Sequence, residues 1–101
     1  MRRKIHYVNP GRVLEMEFME PYRLSQYRLA KLLDVPETRI NRLVRGITGV
    51  TPDIAQRLAS LFGTTPELWM NLQAHYDLAH ARLPPKKLAA IARRQGALRA
   101  A

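Results

Sequence analysis

Ser25 to Gly46 reads SQYRLAKLLDVPETRINRLVRG, and this stretch decides the fold. Leu29, Leu32 and Leu33 recur at the three- and four-residue spacing that buries one stripe of a helix. Ser25 stands just ahead of that run, where its hydroxyl can cap the free amides of the first turn. Ala30 is small enough to let a second helix cross close by. Asp34 and Val35 form a turn, and Asp tolerates the left-handed backbone such a turn often needs, though less readily than Gly. Pro36 is expected at the first position of the second helix, where its missing N–H has no partner to lose, and Gly46 at its end.

The second helix has two faces. Ile40, Leu43 and Val44 point one way. Thr38, Asn41, Arg42 and Arg45 fall at i, i+3, i+4 and i+7 and point the other way, with Arg39 and Glu37 flanking them. Asn pairs bidentately with adenine and Arg with guanine, so this stripe is equipped for base edges and phosphates. On an isolated helix the plainer reading, a solvated outer face, would prevail. The preceding helix, the turn and the overall charge favour double-stranded DNA.

Seventeen Lys and Arg against eight Asp and Glu give a formal charge of +9, which favours a polyanionic partner. A membrane surface would want a basic helix with its apolar face left free, and the apolar faces here are needed for a core. No apolar run reaches the ~18–20 residues of a membrane span, and MRRKIHYV lacks the apolar centre and cleavage site of a signal peptide. The chain has 101 residues, the length of one domain. With 47% hydrophobic residues it can fill a small core, and the scarcity of β-branched alternation argues for an all-α fold. The absence of cysteine excludes disulfides and thiolate metal sites and fits a reducing cytoplasm.

The remaining segments read in order. Residues 1–9 form an arm. Arg2, Arg3 and Lys4 are either phosphate contacts or a frayed basic end, and the alternation of Ile5, Tyr7 and Val8 permits a short extended segment that could pair with the same arm of a second chain. Residues 10–82 form the domain and residues 83–101 a basic tail. Pro10 and Gly11 open a helix over about residues 11–19, with Val13, Leu14 and Phe18 inward. Pro21 is expected to stop it at Glu20, because the residue before proline avoids the helical region. Glu15, Glu17 and Glu20 are either surface charge balancing the helix or a contact for a basic protein. Thr51-Pro52-Asp53 recurs as Thr65-Pro66-Glu67, each an N-cap, a proline at the first helical position and an acid at the helix dipole. The fourth helix, about Pro52 to Phe62, buries Ile54, Ala55, Leu58, Leu61 and Phe62, and Gly63 ends it. The fifth, about Pro66 to His80, carries Leu68, Trp69, Leu72 and Tyr76. This stripe divides between core, the safer reading for Leu68, Trp69 and Leu72, and a dimer seam at Tyr76 and beyond, with Trp69, Leu72 and Tyr76 the candidate dimer contacts. Beyond Pro84-Pro85, residues 86–99 permit a further short helix that packs on a partner subunit or frays.

Catalysis has no support. His75 and His80 lack the spacing of a helical metal pair, no phosphate-cradling glycine loop is present, and both serines have structural explanations. No metal, cofactor or enzymatic activity is expected.

Three stretches resemble the lambda-repressor-like (Xre-type) helix-turn-helix family and, within it, the HigA-type antitoxins of bacterial toxin–antitoxin modules and the virulence-associated protein I group. They are NPGRVLEMEFMEP (Asn9 to Pro21), LSQYRLAKLLDVPETRINRLVRG (Leu24 to Gly46) and TPDIAQRLASLFGTTPELWMNLQAHYDL (Thr51 to Leu78). The resemblance spans about residues 5 to 82. Within it, FGTTPELWMNLQAHYDL is the most specific part, and Asp34 departs from the glycine many relatives carry. The resemblance implies a five-helix domain acting as a homodimer on a palindromic operator. It places Thr38, Asn41 and Arg42 nearest the bases, Arg39 on a base or a phosphate, and Arg45 and Gln26 nearer the backbone. It also implies an autorepressor that neutralises a RelE-like ribonuclease toxin. Such toxins are expected to be basic, which makes Glu15, Glu17 and Glu20 the first docking surface to test. The alternative is a stand-alone Xre-type transcriptional regulator with no toxin partner.

Overall fold

Ser25 accepts the Arg28 N–H through its hydroxyl at 3.0 Å, and α2 (Gln26–Leu33) follows. The chain, in a computed structural model that describes residues 8–99, leaves α2 at Asp34, which is left-handed with φ 59°. The Val35 N–H returns to Ala30 O and the Asp34 N–H to Lys31 O, satisfying carbonyls the helix end would otherwise leave open. α3 (Glu37–Val44) starts one residue later than expected. Pro36 is extended at ψ 147° and stands outside the helix, its carbonyl taking the Arg39 N–H. At the other end Gly46, with φ 78°, donates to Leu43 O while Ile47 donates to Arg42 O, the same closing pattern as at Asp34.

α1 (Pro10–Val13) is capped by Asn9, whose side-chain oxygen accepts the Gly11 N–H. It runs directly into a π-helical stretch, Leu14–Met19, whose last wide turn closes from Glu20 N–H to Glu15 O. The helix ends at Met19 with Glu20 as its cap, the boundary expected, but not for the reason expected. Glu20 is helical at φ −62°, ψ −47°, and the chain turns on through Tyr22 until Arg23, left-handed at φ 55°, ends it with the Leu24 N–H on Met19 O. The preference against helical geometry before proline is overridden by that reverse bond.

α4 (Pro52–Phe62) and α5 (Pro66–His80) have the boundaries read from the sequence. Thr51 and Thr65 accept the Ile54 and Leu68 N–H groups, and Gly63 ends α4 at φ 72°. α6 (Pro85–Ala92), a 3-10 turn (Arg93–Gln95) and α7 (Gly96–Arg99) follow, with no buried side chain among them. The described residues contain no strand. The sequence expectations for residues 1–7 lie outside the described residues, while Val8 packs against the core.

Every helix from α1 to α5 contributes to one core. Leu14, Leu29, Ile40, Ile54, Leu58 and Trp69 are fully buried in it. Trp69 satisfies its indole N–H on Thr64 Oγ1 at 2.9 Å, and its ring lies 5.1 Å from Phe18, which itself lies 4.8 Å from Phe62. α1 meets α3 where Gly11 has no side chain, and a methyl group there would strike the Leu43 carbonyl. Three expected core residues are exposed instead: Leu32 (43%), Leu61 (36%) and Leu68 (40%). Each sits roughly a quarter-turn from the seam its helix buries. In α2 that seam is Leu29, Ala30 and Leu33, so Ala30 takes the place assigned to Leu32.

Candidate nucleic-acid interface

Burying Ile40, Leu43 and Val44 turns the opposite face of α3 outward. Thr38, Arg42 and Arg45 are exposed there, and neither arginine forms an ion pair among the described residues. Thr38 and Arg42 open onto a groove of about 270 Å³ shared with Arg39, Thr48, Gly49 and Thr51. The exposed Arg42 guanidinium beside threonine hydroxyls, with Arg45 exposed at the end of the helix, is donor chemistry of the kind base edges and phosphates accept.

Asn41 and Gln26 occupy one position rather than two. Asn41 Nδ2 donates to Gln26 Oε1 at 3.0 Å, which ties the start of α2 to the middle of α3. Each amide keeps a further donor or acceptor for an outside partner.

Arg39 is drawn away from the stripe. Its guanidinium bonds Asp53 Oδ2 at 2.9 Å and Thr51 Oγ1 at 3.3 Å, fixing α3 to the N-terminal turn of α4. Asp53 also accepts from Arg57 Nε at 3.1 Å, and Arg57 Nη1 reaches back to Leu33 O at 2.8 Å and Asp34 O at 3.3 Å. One side chain on α4 therefore closes the end of α2, while its carboxylate partner holds α3. The hydrogen bond from Arg57, followed by that from Arg39, keeps the Asp53 carboxyl below its ordinary value, against an opposing desolvation.

The loop after α3 is held from α5. The Val50 N–H donates to Gln73 Oε1 at 2.7 Å, and Gln73 Nε2 donates to Asp77 Oδ1 at 2.9 Å. Gly46 packs against the Asn9 amide and Gly49 against the Gln73 side chain. Arg57 and Gln73 were not legible as site residues. The pair Asp53–Arg57 has helical spacing, but their long-range partners lie 24 and 23 residues away in the chain.

The candidates for protein contacts separate differently. Trp69 is fully buried and Leu72 nearly so, both in the chain's own core, so neither offers a surface to a second chain. Half-buried Tyr76 keeps one, with its ring 4.2 Å from His80. Glu15 is paired with Arg12 at 2.8 Å, and Glu17 and Glu20 are exposed. Among the described residues no three His, Cys, Asp or Glu side chains converge on a metal position, and no helix is long and apolar enough to cross a membrane.

Comparison with known proteins agrees with this geometry. The helix-turn-helix family model HTH_3 matches residues 16–69. Virulence-associated protein I of Dichelobacter nodosus is 43% identical over 74 residues, covering 73% of this chain and 68% of that protein. The structure is similar to that of PA4674 from Pseudomonas aeruginosa in complex with its operator DNA, with a TM-score of 0.73, 39% identity, and coverage of 74% of this chain and 81% of that one. It is equally similar to the Pseudomonas aeruginosa antitoxin HigA with the higBA promoter, with a TM-score of 0.73, 34% identity, and coverage of 78% of this chain and 97% of that one. With its capped helix pair, left-handed turn and outward polar stripe inside the matched region, the chain belongs to the helix-turn-helix family, of the Xre type that includes the HigA antitoxins.

Proposed function

We propose that this chain is an antitoxin of the HigBA kind: an operator-binding autorepressor that also binds and neutralises a RelE-like toxin. The observation that carries the DNA half is the outward stripe of exposed Thr38, Arg42 and Arg45 with half-buried Asn41, opposite buried Ile40, Leu43 and Val44. Packing the second set dictates the presentation of the first. Support also comes from the neighbours that were solved on operator or promoter DNA. In this reading α3 enters the major groove, and the Gln26–Asn41 pair spans base edge and backbone. Arg39 serves by holding the helix on α4 rather than by reading a base. A homodimer on a palindromic operator places two such helices about one DNA turn apart.

The toxin half rests on the kinship with HigA. The acidic helix bearing Glu15, Glu17 and Glu20 is its first docking surface, with Glu15 already shared with Arg12. The experiment is co-expression with the adjacent gene. Growth arrested by that gene alone and restored by this chain supports the antitoxin. An adjacent gene without toxicity, together with intact repression by this chain, leaves a stand-alone regulator. Charge reversal of all three glutamates with neutralisation unchanged moves the docking surface elsewhere.

A further inference from the structure

Gln73 lies on α5, far from the α3 stripe in sequence, yet it sets the backbone at the edge of the groove. Its Oε1 takes the Val50 N–H at 2.7 Å, and its Nε2 is spent on Asp77 Oδ1 at 2.9 Å, which fixes the orientation of the amide. Gly49 leaves room for this contact, since a Cβ there would stand 2.9 Å from the Gln73 amide carbon. On the other side of the same short segment, Thr48, Gly49 and Thr51 line the groove with Thr38 and Arg42. Val50 itself is buried, so the segment is anchored at that residue by both its side chain and its amide.

We infer that Gln73 is a positioning residue for DNA binding: the Asp77–Gln73–Val50 chain latches the 47–51 loop at the height where its backbone and threonines meet the phosphates flanking the α3 groove. This rests on the DNA-binding reading above. The latch also joins the DNA edge to the helix that carries Tyr76.

The test uses the full chain, a duplex spanning the upstream region of its own gene, and a scrambled duplex of the same composition. Gln73→Ala should expose the Val50 amide to hydrogen exchange and weaken binding to both duplexes by about two- to tenfold, the range one lost hydrogen bond commands. The salt dependence should stay as in the wild type, because the 47–51 loop carries no Lys or Arg, and the ratio between duplexes should stay put. Gln73→Glu alone sets two carboxylates at i and i+4 and should weaken binding too. The double variant Gln73→Glu, Asp77→Asn reverses donor and acceptor between positions 73 and 77, keeps a side-chain oxygen to accept the Val50 N–H, and should restore both Val50 protection and affinity. The double variant also keeps the test open if Gln73→Ala folds poorly. Loss of Val50 protection with wild-type affinity overturns the inference, as does failure of the swap to rescue. Wild-type protein that binds neither duplex defeats the DNA reading itself, an outcome distinct from a latch that opens without consequence.

Discussion

Asn41 donates its side-chain amide to Gln26 at 3.0 Å, across 15 residues of sequence and from one helix of the pair to the other. If α3 meets DNA as proposed, the two side chains should meet it as one unit. Asn41→Ala should lower affinity and narrow the gap between operator and random DNA by about 1–3 kcal/mol, as loss of a bidentate base contact does. Gln26→Ala should weaken specificity as well, because it releases Asn41. In a double-mutant cycle the two losses should fall short of additivity by about 0.5–3 kcal/mol. Additive losses would show that the hydrogen bond carries nothing into the complex.

Arg42 and Arg45 divide by depth along α3. Arg42 opens onto the groove with Thr38, whereas Arg45 caps the C-terminal end of the helix. Arg42→Ala should lower the operator-to-random ratio, and Arg45→Ala should weaken both duplexes alike while reducing the salt slope by about one unit. Titrations of each variant at several salt concentrations separate the two. An unchanged ratio for Arg42→Ala, with helicity intact by circular dichroism, would reverse the assignment of this helix to the groove.

Asp53 gives the fold an acid-sensitive joint. Arg57 first and Arg39 second hold its carboxyl below its ordinary value of 3.8. A carboxyl depressed in the folded state stabilises that state above its ordinary value and loses the contribution as pH falls through the folded one. Asp53→Asn should therefore be less stable than wild type at neutral pH, and the difference should close below about 3.8. Urea denaturation at pH 7 and in the acid range measures this. A difference that persists undiminished into strong acid would assign it to packing.

Gly11 is where α1 crosses α3. Gly11→Ala sets a methyl against the Leu43 carbonyl, a backbone atom that cannot turn aside. Overpacking of this kind costs about 1–3 kcal/mol, which outweighs the ~0.4–1 kcal/mol an alanine gains by restricting the unfolded chain. The midpoint of denaturation should fall, and DNA affinity with it, because Leu43 and Val44 seat the α3 stripe. A midpoint at or above wild type would mean that the two helices can part without loss.

Tyr76 and the exposed leucines beyond it should carry self-association. Leu78, Leu83 and Leu88 edge an apolar groove of about 680 Å³ at the junction of α5 and α6, and none of the α6 side chains is buried. Sedimentation at tens of micromolar should give a dimer, and Leu83→Asp or Tyr76→Asp should shift it towards monomer. A dimer untouched by both substitutions would have its seam elsewhere.

What the sequence made legible was set by local rules. The caps Ser25, Thr51 and Thr65, the glycine ends at Gly46 and Gly63, and the polar stripe of α3 depend on neighbours within a turn or two, and the structure has them as read. The misreadings came from contacts that close over long separations. Arg39 has the spacing of a flanking residue, and its bonds to Asp53 and Thr51, made once α4 packs alongside, have no signal in that spacing. Leu32 has the spacing of a core residue, but the seam α2 buries runs through Ala30 instead. The helix before Pro21 ends where expected, but Glu20 keeps helical angles because the bond from Leu24 to Met19 closes the turn beyond it. Gln73 has no local signature, because its partner, an amide N–H, is common to every residue except proline.

Arg57 supplies from α4 the closure that α2 lacks at Leu33 and Asp34. The turn between the two helices is thus completed by a residue that lies after both of them in the chain. A ribosome that has released only as far as Gly46 has made the whole reading head and none of its clamp. A graft of residues 25–46 onto another scaffold would carry the outward stripe of α3 without the arginine that holds the Leu33 and Asp34 carbonyls.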